Sequence, residues 1–413
     1  MFMKWRSSTK IKHDSLTGFT IFVVVLCLLN LVINLINHHF YLPDFRVYYM
    51  AAHNLMTGGP VYGTEFGSGS GLYKYSPLTL FLFVPYTFFN YTLASFIHFT
   101  LLCIAFWYVY IMINKIFDGS LFPGFNKKIG LLLSLSVLCV LIHLVRELYL
   151  GNINLILILL CLIALRLILQ NRSFSSGIIL GIVFLAKPFF FILILPLLYR
   201  KKFKTLVSAS VTFIAGILVP FLILGHDRSL SLYSGWLRSM IRHKVEFPGV
   251  NTIDYFLTQY VYPGLPPQAV YFIILGAGTL LTVFILFNLQ REKKRKGRKD
   301  ITERNFIFEW FVILALIPNM VKTDTEHFLA SAPLITFILF YIAKKKRVWL
   351  IPVMTLLIFF FGANSTDLFG KELSLRLSDL GLLGLSNLAL LALSFFLFPD
   401  YLKEPGRTEP EKR

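Results

Sequence analysis

Apolar runs long enough to cross a bilayer recur along this chain from Phe19 to Phe398, and charged residues fall almost entirely between them. No polar block is large enough to bury a core of its own. A soluble enzyme with one anchor is therefore excluded, and the pattern predicts an all-α polytopic integral membrane protein forming a single membrane domain over 1–413. Composition agrees: charged residues make up 15% of the chain and mean hydropathy is +0.70, against about 25% charge in a soluble domain. The net charge of +19 does not point to nucleic acid, because the basic residues form short clusters at the ends of apolar runs, where they set membrane orientation. Cys27, Cys103, Cys139 and Cys161 all lie inside apolar runs, without metal-ligand or disulfide-framework spacing, and read as small core residues.

Candidate inserted segments are 19–37, 77–90, 92–113, 129–147, 154–170, 174–199, 205–224, 268–290, 306–321, 328–343, 347–362 and 381–398. They amount to roughly 11–13 transmembrane or partly inserted helices, with juxtamembrane helices expected in the long outer loops 38–76 and 225–267. Basic clusters at Arg200–Lys204, in the loop 291–305 and at Lys344–Arg347 belong on the cytoplasmic side, together with the polar tail 399–413 and the N-terminus. The expected location is a bacterial cytoplasmic (inner) membrane. Crossing at every segment would place Lys127, Lys128 and Arg172 outside. The conflict disappears if 77–90 dips in and returns, and if 174–199 is a broken hairpin turning at Lys187-Pro188.

Several polar residues are not explained by the membrane. Pro43-Asp44 reads as a helix start with Asp44 as N-cap. Phe45, Tyr48, Tyr49, Ala52, Leu55 and Met56 share one face of that helix, expected to lie on the membrane interface, and Gly58-Gly59-Pro60 ends it. Asp44 also suits a general base that takes a proton from an attacking hydroxyl. Lys187 is the only charge from Gly177 to Leu198, where an ammonium costs about 2.5–3.5 kcal/mol. It either snorkels to the surface or, at a break imposed by Pro188, meets an anionic headgroup such as a lipid phosphate. Arg146 and Glu147 are span caps or site residues, while the amides of Asn152 and Asn154 can bind sugar hydroxyls. The turn Lys322, Thr323, Asp324, Thr325, Glu326, His327 is solvated, or else brings His327 to a phosphate or sugar. His226, Asp227, Arg238, Arg242 and His243 fit a headgroup-facing surface better than catalysis.

No Walker A loop, GxGxxG after a strand, HExxH, GxSxG or DxD pair is present. A sugar donor, if there is one, is then lipid-borne.

The blocks DFRVYYMAAHNLMTGGPVY (44–62), YSP (Tyr75 to Pro77), GNIN (Gly151 to Asn154), AKP (Ala186 to Pro188) and TEHF (Thr325 to Phe328) occur in an order that resembles glycosyltransferase family 87. That group comprises polyprenyl-phosphate-mannose-dependent α-mannosyltransferase-like membrane proteins of the GT-C fold. The resemblance, over about 44–335, implies an inverting hexosyltransferase of the EC 2.4.1 type. It would move a hexose, expected to be mannose, from a polyprenyl phosphate to a lipid or glycolipid hydroxyl on the extracytoplasmic face. It implies Asp44 as catalytic base, and Lys187 and His327 as donor-phosphate ligands. Tyr48, Tyr49, Tyr75, Glu147, Asn152 and Asn154 are candidate substrate contacts. The chain departs from the common pattern with Asn152 where glutamine is frequent and a single proline in YSP. The scheme requires no metal or other cofactor. A lipid-linked oligosaccharide flippase, or an oligosaccharide polymerase or ligase, shares the basic polytopic character.

Overall fold

The computed structural model describes residues 13–66, 71–125, 128–246, 257, 260, 264, 266–296, 299–320, 324–362 and 365–403. Among the described residues the only β pairing is an isolated bridge between Glu65 and Leu72, so the chain is an all-α protein. Among the described residues five helices are long and apolar enough to cross a membrane, and the pair α5 (Ile129–Cys139) and α6 (Leu141–Leu150), bent by 68°, makes a sixth if it is counted as one span. The remaining inserted segments are shorter apolar helices.

Helix α1 (His13–Ile36) packs beside α4 (Tyr91–Ile116), with Trp107 Nε1 donating to Thr20 Oγ1 at 3.1 Å. Between them lie α2 (Pro43–Thr57), α3 (Pro77–Phe81) and a 3-10 turn at Val84–Phe88. Those two five-residue pieces are far too short for a hydrocarbon core of about 30 Å, so 77–90 is not a crossing. Helix α2 ends at Gly58 in the left-handed conformation (φ 83°). Its aromatic face is not laid on lipid as expected: Phe45, Tyr48, Tyr49, Ala52 and Leu55 are buried against protein, and Met56 is exposed.

The segment 174–199 breaks where proline requires. Helix α8 (Ser173–Ala186) stops at Lys187, whose φ −134° and ψ 101° are extended, and Pro188–Leu193 continues as a 3-10 turn into α9 (Ile194–Tyr199). Helix α10 (Phe203–Leu224) then runs parallel to α8, pairing Gly177 with Ser208, Gly181 with Thr212 and Leu185 with Gly216. A Cβ at Gly177 would lie 2.5 Å from Ser208 Cβ, so small residues permit this close approach. For α10 to start beside the beginning of α8, the chain must double back at Lys187. The 14 residues of α8 span about 21 Å, which places the turn at membrane depth, where irregular backbone must be covered by protein.

After α7 (Asn154–Leu169), α11 (His226–Glu246) and α12 (Pro267–Lys296), the core is completed by α13 (Lys299–Met320) and α14 (Ala332–Lys345). From Phe306 to Ile317 every residue of α13 is buried, as expected of a helix that is apolar on all sides but for Glu309. Helices α15 (Leu350–Phe361), α16 (Thr366–Asp379) and α17 (Leu382–Tyr401) close the bundle. The contacts define two ends. At one, Arg200 pairs with Glu309, Ser120 with Glu303, Tyr341 with Asp400, and Tyr401 with the Leu121 carbonyl. At the other, α2, the α6–α7 turn, Lys187 and the 3-10 segment Thr325–Ser331 converge. Lys127, Lys322, Thr323 and the tail 404–413 lie outside the described residues, as do the side chains of Arg242, His243 and 291–300.

Candidate active site

The site is built on the turn between α6 and α7. Gly151 adopts φ 69°, and a Cβ there would lie 2.9 Å from Phe45 Cβ and 3.0 Å from Leu42 Cβ, so only glycine lets the start of α2 sit on the turn. His98 fixes the contact: its Nε2 meets the Gly151 carbonyl at 2.9 Å, and its ring stacks on Phe45 with centroids 4.2 Å apart. This buried histidine of α4 was not legible as part of the site, because a single His in an apolar run looks like any satisfied core histidine. Its effect is to bring Asn152 under Asp44.

The expected capping role of Asp44 is not what the structure has. Helix α2 begins at Pro43, its N-cap is Leu42 in the left-handed region, and no side chain caps it. Proline is favoured at the first helical position, which moves Asp44 one place inward. Its Oδ2 instead accepts from Asn152 Nδ2 at 2.7 Å. The Asn152 oxygen accepts from the Ile153 amide at 2.7 Å, the Tyr75 hydroxyl at 3.1 Å and Lys187 Nζ at 3.4 Å. The hydroxyls of Tyr75 and Tyr48 are 3.0 Å apart, and since Tyr75 donates to Asn152, Tyr48 donates to Tyr75. Burial raises the Asp44 carboxyl to about 6, helped by Asp324 and opposed by Lys187, Lys74 and the Asn152 hydrogen bond. Lys74 is a further cation of the site that sequence reasoning passed over. It sits one residue before YSP, burial depresses its ammonium, and Asp324, Asp44 and Glu326 counter that.

Lys187 does not snorkel. Its buried ammonium donates to Asn154 Oδ1 at 2.6 Å, contacts Asn152 Oδ1 at 3.4 Å and lies 3.0 Å from His327 Nε2. An ammonium has three N–H donors, and three neutral acceptors surround it. His327 Nδ1 lies 3.2 Å from the Asp324 carbonyl; with Nδ1 donating there, Nε2 is the acceptor for Lys187. A narrow crevice beside this pair is lined by Asn154, Ile158, Phe189, Phe190, Ile317 and His327.

Glu147 is fully buried, and both its oxygens are engaged, Oε2 by Asn154 Nδ2 at 2.8 Å and Oε1 by the Leu155 amide at 3.0 Å. The first bond turns the Asn154 oxygen toward Lys187, and the second satisfies an amide in the first turn of α7. Arg146 Nε donates to Glu326 Oε2 at 3.0 Å. Of the sequence candidates, Asp44, Tyr48, Tyr75, Glu147, Asn152, Asn154, Lys187 and His327 form one hydrogen-bonded network. Tyr49 does not join it, since its hydroxyl donates to the Phe89 carbonyl at 2.8 Å. His226, Asp227 and Arg238 are exposed and bond locally, while α11 touches the first loop through Trp236 Nε1 and the Lys74 carbonyl at 2.9 Å.

A partly exposed carboxylate and a buried cation, set apart by one amide, can accept a proton on one side and stabilise a departing anion on the other. A profile described as Glycosyltransferase family 87 matches residues 73–323, which holds all of these residues except Asp44, Tyr48 and His327. No curated protein matches the chain.

Proposed function

Because the chain belongs to glycosyltransferase family 87 and is therefore a membrane glycosyltransferase, we propose that it transfers a hexose, mannose in the first instance, from a polyprenyl phosphate to a hydroxyl of a lipid or glycolipid. The observation that carries this reading is the meeting of Asp44 and Lys187 through Asn152 at the loop end of the bundle.

In the transfer, the acceptor O–H gives its proton to Asp44 as the oxygen attacks the anomeric carbon. The bond from that carbon to the phosphate oxygen breaks on the opposite face, and its electron pair leaves with the polyprenyl phosphate, so the configuration inverts. Lys187 stabilises the departing charge. Its present acceptors are neutral, and a phosphate oxygen forms a stronger, charge-assisted bond. The 3.4 Å contact with Asn152 is the longest of the three and yields most readily. His327 and the aromatic crevice then flank the phosphate and the start of its prenyl chain. Arg172, Arg200–Lys204 and Lys344–Arg347 gather at the end opposite the site, and the preference of positive charge for the cytoplasmic side supports a reaction on the outer face.

The test is incubation of the purified protein with radiolabelled polyprenyl-phosphate sugars and a membrane lipid extract. The expected result is a labelled lipid product of inverted configuration. Movement of intact donor across vesicles without transfer would instead make the protein a carrier.

A further inference from the structure

Opposite charges buried a few ångströms apart normally collapse into an ion pair, and a direct Asp44–Lys187 pair would engage both the base and the phosphate ligand. In this structure they do not touch; the Asn152 amide stands between them, donating to Asp44 at 2.7 Å and facing Lys187 at 3.4 Å. The amide has no choice of orientation. Turned over, its NH₂ would face the Ile153 amide, the Tyr75 hydroxyl and the Lys187 ammonium, and its oxygen would face a carboxylate. The Ile153 N–H, 2.7 Å away, belongs to the same turn that Gly151 and His98 fix, so the backbone itself sets which end meets which charge.

We infer that Asn152 is a positioning residue that keeps Asp44 and Lys187 as two separate charges, engaging one carboxylate oxygen of Asp44 and leaving the other for the acceptor. This rests on the roles proposed above for those two residues. Neither a sugar contact nor a simple turn residue would need the amide to bridge both groups. Among the described residues the charged and titratable groups around Asp44 are Lys187, Lys74, Asp324, Glu147, Glu326 and Arg146, with the phenols of Tyr48 and Tyr75. Among the described residues only Asn152 hydrogen-bonds the carboxylate.

Asn152→Asp tests the inference. The new carboxyl keeps an oxygen for Ile153, Tyr75 and Lys187, but sets its other oxygen against Asp44 where an N–H stood. The two carboxyls must then share a proton. The acid limb of the pH–rate profile should move up by about one unit or more, because opposed carboxylates perturb one another on that scale. A profile lowered evenly with its limb unmoved would overturn the inference. Asp44→Asn, assayed beside it, separates the two readings. If it is inactive while the Asn152→Asp limb has not moved, only the role of Asn152 falls; if it transfers normally, the base assignment falls first. Should Asn152→Asp be too unstable to assay, the exchange Asp44→Asn with Asn152→Asp restores one donor and one acceptor. Its melting temperature should exceed the sum of the two single effects, and strict additivity would overturn the inference.

Discussion

Two acid–base constellations lie at opposite ends of this bundle, and they are wired differently. At the basic end Arg200 binds Glu309 directly through Nε and Nη2, with the carboxylate fully buried and the guanidinium nearly so. At the loop end Lys187 and Asp44 have the same opposite charges but, among the described residues, hydrogen-bond only to neutral groups, namely Asn152, Asn154 and His327. A direct pair cancels both charges and fixes two helices. Charges held apart by amides stay available to a substrate, at a cost in burial that the network only partly offsets. On the proposed reading, the difference separates a joint from a reaction centre.

The comparison breaks most sharply at Asp44. Asp44→Asn keeps a group of the same size but cannot take the acceptor's proton, and transfer should fall by about 10²–10⁴-fold. Because burial raises the Asp44 carboxyl to about 6 from 3.8, the folded state binds more protons than the unfolded state between those values. The wild type should therefore lose stability as pH rises from 4 to 6. At pH 7 the Asn variant should melt at or above the wild type in detergent. A lower melting temperature would show that the carboxylate is structural.

Lys187→Met follows, with an expected loss in transfer of about 10²–10³-fold, the scale for removing one stabilising donor. Donor binding should weaken while insertion and expression remain near normal, since a costly buried charge has gone. Wild-type donor affinity in this variant would remove its phosphate role. Glu309→Gln should do the reverse. Breaking a buried pair costs about 3–5 kcal/mol, so yield and melting temperature should drop while the protein that remains folded binds donor normally. The smallest effect belongs to Tyr49→Phe, which loses one hydrogen bond to a carbonyl worth about 0.5–1.5 kcal/mol. Its transfer rate should stay within a few-fold of wild type, and a larger loss would return Tyr49 to the site.

The fold was legible where chemistry is local. Proline after Lys187 dictated the break, and the apolar runs dictated helices throughout, five of them among the described residues long enough to cross a membrane. The shortness of α8 was also implied by the distance from Arg172 to the break. What escaped was relational. Pro43 claims the first helical position, so Asp44 points to Asn152 instead of capping α2. The bond from Asn154 to Glu147 crosses the Gly151 turn, where helical spacing no longer relates the residues on either side. His98 and Lys74 carry no motif, and only the packing of α4 and the first loop shows what they do.

The central claim is that Asp44 and Lys187 perform separate tasks, and the most direct test measures donor binding and single-turnover transfer on the same preparations of Asp44→Asn and Lys187→Met. The account requires Asp44→Asn to bind a polyprenyl-phosphate sugar as wild type does while failing to transfer it, and Lys187→Met to bind it poorly. Equal loss of donor affinity in both variants would mean that the two charges act as one electrostatic unit, and would contradict it.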